Sequence, residues 1–198
     1  MYQLFETIKC NNGELVNIKW HNRRFNRARK MCFEQTNQLD LAKIITVPPH
    51  AQSGIFRCRV TYSETIEKIE FVPHQYRKIE SLKIIEENNI DYKFKFSNRE
   101  PLNLLFAKRG NYDDIIIVKN GFITDSSVAN LLFFDGDKWW TPDTPLLPGT
   151  QRAKLLEEKK VLECKISVSD LTQFQKAGLI NAMWSFSNMP IVDIKNIK

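Results

Sequence analysis

The chain has 198 residues, the length of one ordinary domain or of two small ones sharing an interface, and 42% apolar residues are enough to build a core. No run approaches the roughly 18 uninterrupted apolar residues of a membrane span, and Glu6 interrupts "MYQLFETIKC" where a signal peptide needs basic and then apolar residues. A soluble, cytoplasmic protein is expected, with no membrane partner. Cys10, Cys32, Cys58 and Cys164 lie far apart, a spacing that indicates neither a metal site nor a disulfide framework. The net charge of +6 would admit an anionic partner, and the excess is concentrated in "KWHNRRFNRARK", residues 19–30, which holds six basic residues besides His21. A phosphate-bearing ligand would use one or two of these; a polynucleotide would use most of them.

Residues 3–8 and 13–19 predict a hairpin turning at Asn11, Asn12 and Gly13. A helix follows from His21 to about Thr36, with Phe25, Ala28, Met31 and Cys32 forming its apolar stripe. "GIFRCRVTYS" (54–63) and "IEKIEFVPH" (66–74) alternate as paired strands and place Arg57 and Arg59 on one face. This half reads as α+β. Residues 78–89 are ambiguous between strand and helix, while "IDYKFKF" alternates again with Lys93 and Lys95 on a common face. "REPLNLLFAKRG" predicts a helix capped near Ser97 or Asn98 and ending at Gly110. Strands flank the turns at Asn120-Gly121 and Asp135-Gly136, and a further helix opens near Gln151. "VLECKIS" predicts a strand, "SVSDLTQF" a helix start capped by Ser169 or Asp170, and "GLINAMWSFSNMPIVDI" a buried strand.

Several side chains could carry chemistry. A lysine between Phe94 and Phe96 is either solvated or desolvated into an amine nucleophile, and Lys95 is open to both readings. Asp125, after an apolar strand and before Ser126, Ser127 and Asn130, could face a buried ring nitrogen or simply cap its own turn. Gly149, Thr150 and Gln151 open a helix whose N-H groups suit a phosphate, and an ordinary N-cap is the alternative. Arg24 could clamp a phosphate through two parallel hydrogen bonds or solvate its helix face. His21 reads as a structural hydrogen-bonding residue.

In order, "FETI", "GELVNIKWHNRRF", "GIFRCRV", "KFKFSNR", "GFITDSSVANLLF" and "WWTPDTPLLPGTQR" resemble the class IV aminotransferases, the fold-type IV pyridoxal phosphate (PLP) enzymes. That family includes branched-chain aminotransferase, D-amino acid aminotransferase and aminodeoxychorismate lyase. The resemblance runs from Phe5 to about Val192 and is most specific at Gly121, Ile123, Thr124, Asp125, Asn130, Leu131, Thr141, Pro142, Gly149, Thr150 and Arg152.

It implies a small N-terminal α/β domain (1–90, N-terminally shortened) and a larger PLP-binding C-terminal domain (91–198) with a barrel-like β core. Lys95 takes the place of the Schiff-base lysine, since Asn98 and Arg99 follow it at the family's spacing, with Lys93 as runner-up. Asp125 takes the ring-nitrogen carboxylate, Arg24 the phosphate arginine and Gly149–Gln151 the phosphate turn. Ser126 and Ser127 fall near the cofactor, and Arg99 falls where relatives bond its phenolic oxygen. Arg57 or Arg59 would hold the carboxylate of a small amino- or keto-acid substrate, turned over by transamination or by lyase chemistry in a homodimer. Asp125 is one methylene shorter than the family's glutamate, and Gln151 departs from its G-I-T-R turn. The alternatives are a non-catalytic descendant of the fold and a basic nucleic-acid-binding protein using residues 19–30.

Overall fold

The computed structural model describes residues 2–198. It divides into two compact units: one contains the residues up to Tyr76 together with Phe94–Asn98, the other Arg77–Lys93 and Arg99–Lys198. No helix among the described residues is long and apolar enough to cross a membrane.

In the first unit, β1 (Leu4–Asn11), β2 (Glu14–Leu15), β3 (Ile55–Tyr62) and β4 (Ile66–Pro73) form an antiparallel sheet in the order β2-β1-β3-β4. Period-two alternation sends Leu4, Ile8, Cys58, Val60 and Tyr62 to one face. There they meet Phe25 and Ala28 of α1 (Ile18–Phe33) and Leu41 of α2 (Leu41–Ile44), with Phe25 edge-on to Tyr62 at 4.6 Å. The expected second strand over 13–19 is only Glu14–Leu15, because Asn17 turns left-handed (φ 60°) and the helix begins at Ile18. The expected stripe is also corrected. Met31 is 59% exposed, and the polar His21, Asn26 and Arg29 point inward instead. Asn26 exchanges hydrogen bonds with the Leu39 backbone and Arg29 donates to the Asn37 carbonyl at 2.7 Å, while the buried Arg29 Nε is left without a partner.

Residues 90–96 are not the expected strand. Only Phe96 bridges to Leu4, while Phe5 N donates to the Lys95 carbonyl and Ser97 N to that of Gln3. Phe94 and Phe96 pack onto the first unit's core, which anchors the segment and with it Lys95.

The second unit carries β5 (Leu82–Glu86), β6 (Asp114–Lys119), β7 (Phe122–Ser126), β8 (Asn130–Phe134), β9 (Trp139–Pro142) and β10 (Leu162–Cys164), in the order β10-β9-β8-β7-β6-β5. β11 (Lys176–Ile180) pairs with β8 and with β12 (Ile191–Asp193). The two ends of this curled half-barrel are parallel pairs, β5 with β6 and β9 with β10. α3 (Glu100–Ala107) makes the β5–β6 crossover and α4 (Thr150–Glu157) the β9–β10 crossover, as parallel pairing requires. The core gathers Ile116, Val118, Ile123, Leu131, Phe133, Leu179 and Val192.

Asn120 (φ 52°) and Gly121 (φ 80°) make the β6–β7 turn that their dipeptide predicts. The cap of α3 is Arg99, not Ser97 or Asn98, and makes no side-chain cap bond. The expected C-terminal strand is two short ones, and residues 169–173 form a 3-10 turn in which Asp170 accepts from Ser167 N. The mixed α+β architecture expected from the sequence is the one observed.

Candidate active site

Two groups of side chains are assembled, one in each unit. In the first, Glu6 lies on the inward face of β1 without solvent exposure. Arg24 of α1 donates to it from Nε (2.8 Å) and Nη2 (2.6 Å), and His21 Nδ1 lies 2.6 Å from the same carboxylate. Burial alone would push the Glu6 pKa up. The Arg24 charge and the hydrogen bonds from His21 and Arg24 outweigh it and hold the group at about 2. An ionised carboxylate only accepts, so Nδ1 carries the imidazole proton. Burial keeps His21 neutral against the pull of Glu6, and the charges of Arg24 and Lys95 act in the same direction as burial. His21 is thus the structural residue the sequence suggested, and Arg24 is fixed in orientation rather than spread on a solvated face.

Phe5 projects to the other face of β1. The Arg59 guanidinium lies over its ring at 4.3 Å from the centroid and Lys95 Nζ at 4.8 Å. Arg59 and Lys95, named separately from the sequence, therefore share one aromatic platform. Arg57, two residues along β3, is exposed. Lys93 does not share Lys95's surroundings: its side chain is 67% exposed and pairs with Asp91 at 3.3 Å. That difference comes from the irregular backbone of 90–96, which removes the common face the alternation suggested.

In the second unit Asp125 lies on β7, 6% exposed. It accepts from Asn130 Nδ2 (2.8 Å) and from Leu147 N (2.9 Å), so its two oxygens are fixed by β8 and by the loop before α4. Asn130 Nδ2 also donates to the Leu147 carbonyl at 2.9 Å. A Cβ at Gly149 would overlap Asn130 Oδ1, so glycine is required where the loop passes the amide. Gly149 caps α4 without a side-chain bond, and Thr150 and Gln151 are buried in its first turn, at the positive end of the helix dipole. One amide thus ties the Asp125 carboxylate to the glycine turn.

Turn capping, the alternative for Asp125, belongs to its neighbour: Ser126 Oγ accepts from Val128 N and Ala129 N. The Ser127 peptide is held from both sides, its carbonyl by Arg99 Nη2 (2.8 Å) and its N-H by Asp114. Arg152, part of the quoted motif, bonds the Pro142 carbonyl and Glu163 and so ties α4 to the β9–β10 end. Glu6, Phe5 and Asp114 were given no part in the site from the sequence, and Asn130 was given only its place in the motif. Phe5, Glu6 and Asn130 stand inside the quoted motifs, but their roles depend on partners distant in the chain.

The basic run 19–30 does not form one open face. Arg24 is paired with Glu6 and the buried Arg29 with Asn37, so these two of its six basic residues face the fold.

A small α/β unit followed by a curled mixed sheet with a buried carboxylate beside a glycine-started helix is the fold of the fold-type IV PLP enzymes. The chain belongs to the class IV aminotransferase family, whose model (amino-transferase class IV) matches residues 3–197, and is an enzyme of that kind. An uncharacterized protein of Haemophilus influenzae is 40% identical over 185 residues, covering 92% of this chain and 98% of that one. The crystal structure of a candidate 4-amino-4-deoxychorismate lyase from Haemophilus somnus is 38% identical, with a TM-score of 0.87 over 92% of this chain and 97% of that one. A hypothetical aminotransferase of Mycobacterium tuberculosis in its PLP-bound form shares the fold at 18% identity, with a TM-score of 0.77 over 96% and 80% of the two chains.

Proposed function

We propose that the chain is a PLP-dependent enzyme acting on the amine of a small amino- or amino-substituted carboxylic acid, as a transaminase or as a lyase of the aminodeoxychorismate type. The carrying observation is the pairing of Lys95 Nζ with the Arg59 guanidinium on the ring of Phe5. A substrate carboxylate held by Arg59 would present its neighbouring amine to Lys95.

The donor set suits the cofactor. Lys95 is a half-buried primary amine, Asp125 a buried carboxylate with both oxygens oriented, and Gly149 a helix start without a side chain to obstruct a phosphate. PLP supplies a protonated ring that draws off the electron pair left on the substrate carbon. Lys95 would hold the cofactor covalently and, once displaced by the substrate amine, move the Cα proton. Asp125 would accept a hydrogen bond from the ring nitrogen and keep it protonated. Arg24, oriented by Glu6, is one candidate for the phosphate, and the helix start at Gly149, Thr150 and Gln151 is another. Ser126 and Ser127 hold the turn after Asp125, and Arg99, which braces the Ser127 carbonyl, would be the group for the cofactor's phenolic oxygen. The H. somnus relative favours the lyase branch, and the reading carries the family's homodimer, which light scattering checks.

Purified protein loaded with PLP should be yellow, and borohydride reduction should leave the pyridoxyl label on the peptide containing Lys95. Lys95→Ala should lose the label and Lys93→Ala keep it. A label on Lys93, or none at all, would overturn the assignment. Assays on L- and D-amino acids and on 4-amino-4-deoxychorismate then separate transaminase from lyase.

A further inference from the structure

β6 opens on a residue type that strands rarely take. Asp114 precedes four buried aliphatic residues and is itself without solvent exposure. Such a group persists inside a protein only where hydrogen bonds and a counter-charge meet it. Its Oδ2 accepts from Arg77 Nη2 at 2.6 Å, and the Arg77 guanidinium lies 5.7 Å from the centroid of the Phe106 ring. Its Oδ1 accepts from Ile115 N at 2.8 Å and from Ser127 N at 3.3 Å. The neighbouring Asp113 is occupied elsewhere, accepting from the backbone of Glu80 and Ser81.

The bond to Ser127 falls where the β6–β7 ladder stops. Ile116 and Ser126 are its last pair, and the Ser127 N-H goes to the Asp114 side chain in place of a ladder partner. Residues 126–129 then form the turn closed by the pair Asp125 and Asn130. Within the turn, Ser126 N donates to the Ala129 carbonyl at 2.8 Å. From outside it, Arg99 holds the Ser127 carbonyl at 2.8 Å and Asn181 Nδ2 holds the Val128 carbonyl at 3.2 Å. Three side chains distant in sequence therefore fix the turn that follows Asp125, and Asp114 is the buried one among them.

We propose that Asp114 is a positioning residue for Asp125: by holding the Ser127 N-H, with Arg77 as counter-ion, it fixes the turn that presents the Asp125 carboxylate. The proposal rests on the functional reading above, in which Asp125 meets the cofactor's ring nitrogen, and adds to it the group that keeps Asp125 in place.

Two readouts test it, one of them without cofactor. Asp114→Ala removes the acceptor, Asp114→Asn keeps an oxygen for Ser127, and Val118→Ala truncates a buried side chain on the same strand, four residues further along. In the cofactor-free protein, amide hydrogen exchange followed by NMR should show Ser127 protected. Asp114→Ala should speed that exchange roughly tenfold or more, the worth of one hydrogen bond to a charged group, and Asp114→Asn should restore most of the protection. In the PLP-loaded protein, a ring nitrogen held less firmly protonated withdraws less charge from the linkage to Lys95. The midpoint of the pH-dependent colour change should therefore rise by about half a unit or more in Asp114→Ala and stay in place in Asp114→Asn and Val118→Ala.

A Ser127 amide that exchanges in the unsubstituted protein as fast as an exposed one would overturn the proposal, even if Asp114→Ala does not fold. So would a midpoint that moves equally in Val118→Ala, the mark of a structural loss alone. A yellow, reducible parent protein with an unmoved Asp114→Ala midpoint would sink this proposal by itself, whereas a parent with no reducible Lys95 adduct would sink the functional reading and this proposal with it.

Discussion

A carboxylate shut away from water is costly unless a cation and hydrogen bonds surround it, and Glu6 obtains both from one turn of α1. Its pKa near 2, against the ordinary 4.5, means that the unfolded chain takes up a proton at higher pH than the folded one. The associated stability is complete above about pH 4.5 and is lost as pH falls toward 2, on the order of 3 kcal/mol for a shift of this size. His21, also depressed, adds loss in the same direction, beginning below its ordinary value of 6.5. Urea unfolding at stepped pH should therefore show stability falling through this range, and Glu6→Gln should flatten the fall below pH 4.5. Glu6→Ala strands Arg24 in a largely buried site and should cost about 3–5 kcal/mol. At the proposed substrate position, Arg59→Ala should lower kcat/KM by roughly one to two orders of magnitude, the worth of a charged hydrogen bond, with the loss mainly in KM.

The β7–β8 hairpin and the start of α4 are one mechanical element, because Asn130 reaches across both. Asn130→Ala removes a donor from buried Asp125 and from the Leu147 carbonyl and should cost about 1–3 kcal/mol. Gly149→Ala drives a methyl into the Asn130 amide and should cost a similar amount by overpacking. The double variant should lose less than the sum, since the amide that clashes is gone; urea denaturation of all four proteins gives the coupling energy.

The β6–β7 and β8–β9 hairpins were the most legible elements because an apolar strand pattern and an Asn-Gly or Asp-Gly turn agreed in each. Residues 90–96 carried the alternation without the pairing. Phe94 and Phe96 turn inward while the backbone bridges β1 only at Leu4, so Lys93 and Lys95 part company. Lys95, Asp125 and Gly149 could be proposed from the sequence because the motifs of the family it resembles run through them. The supports for Arg24 and Asp125 were not: Glu6 is 18 residues from Arg24, and Leu147 is 22 from Asp125. Contacts of that kind exist only after the sheets form.

At the scale of the molecule, the boundary between units does not follow the chain. Phe94–Asn98 leaves the second unit's sequence, completes the first unit's sheet edge and core, and returns. A fragment ending at Tyr76 therefore lacks two aromatics of the first unit's core, where deletion of one such side chain typically costs about 3–5 kcal/mol. A fragment of residues 1–98 should show a cooperative thermal transition by circular dichroism, and one of residues 1–76 should show a broad one or none.

The excursion also sets an order on synthesis. Domains ordinarily fold as they emerge from the ribosome, N-terminal first. Here the N-terminal unit must wait until residue 98 has cleared the exit tunnel, after β5 of the second unit is already outside. Lys95 arrives with the last piece, so a nascent chain gains the amine proposed to hold the cofactor and its closed first core in the same event.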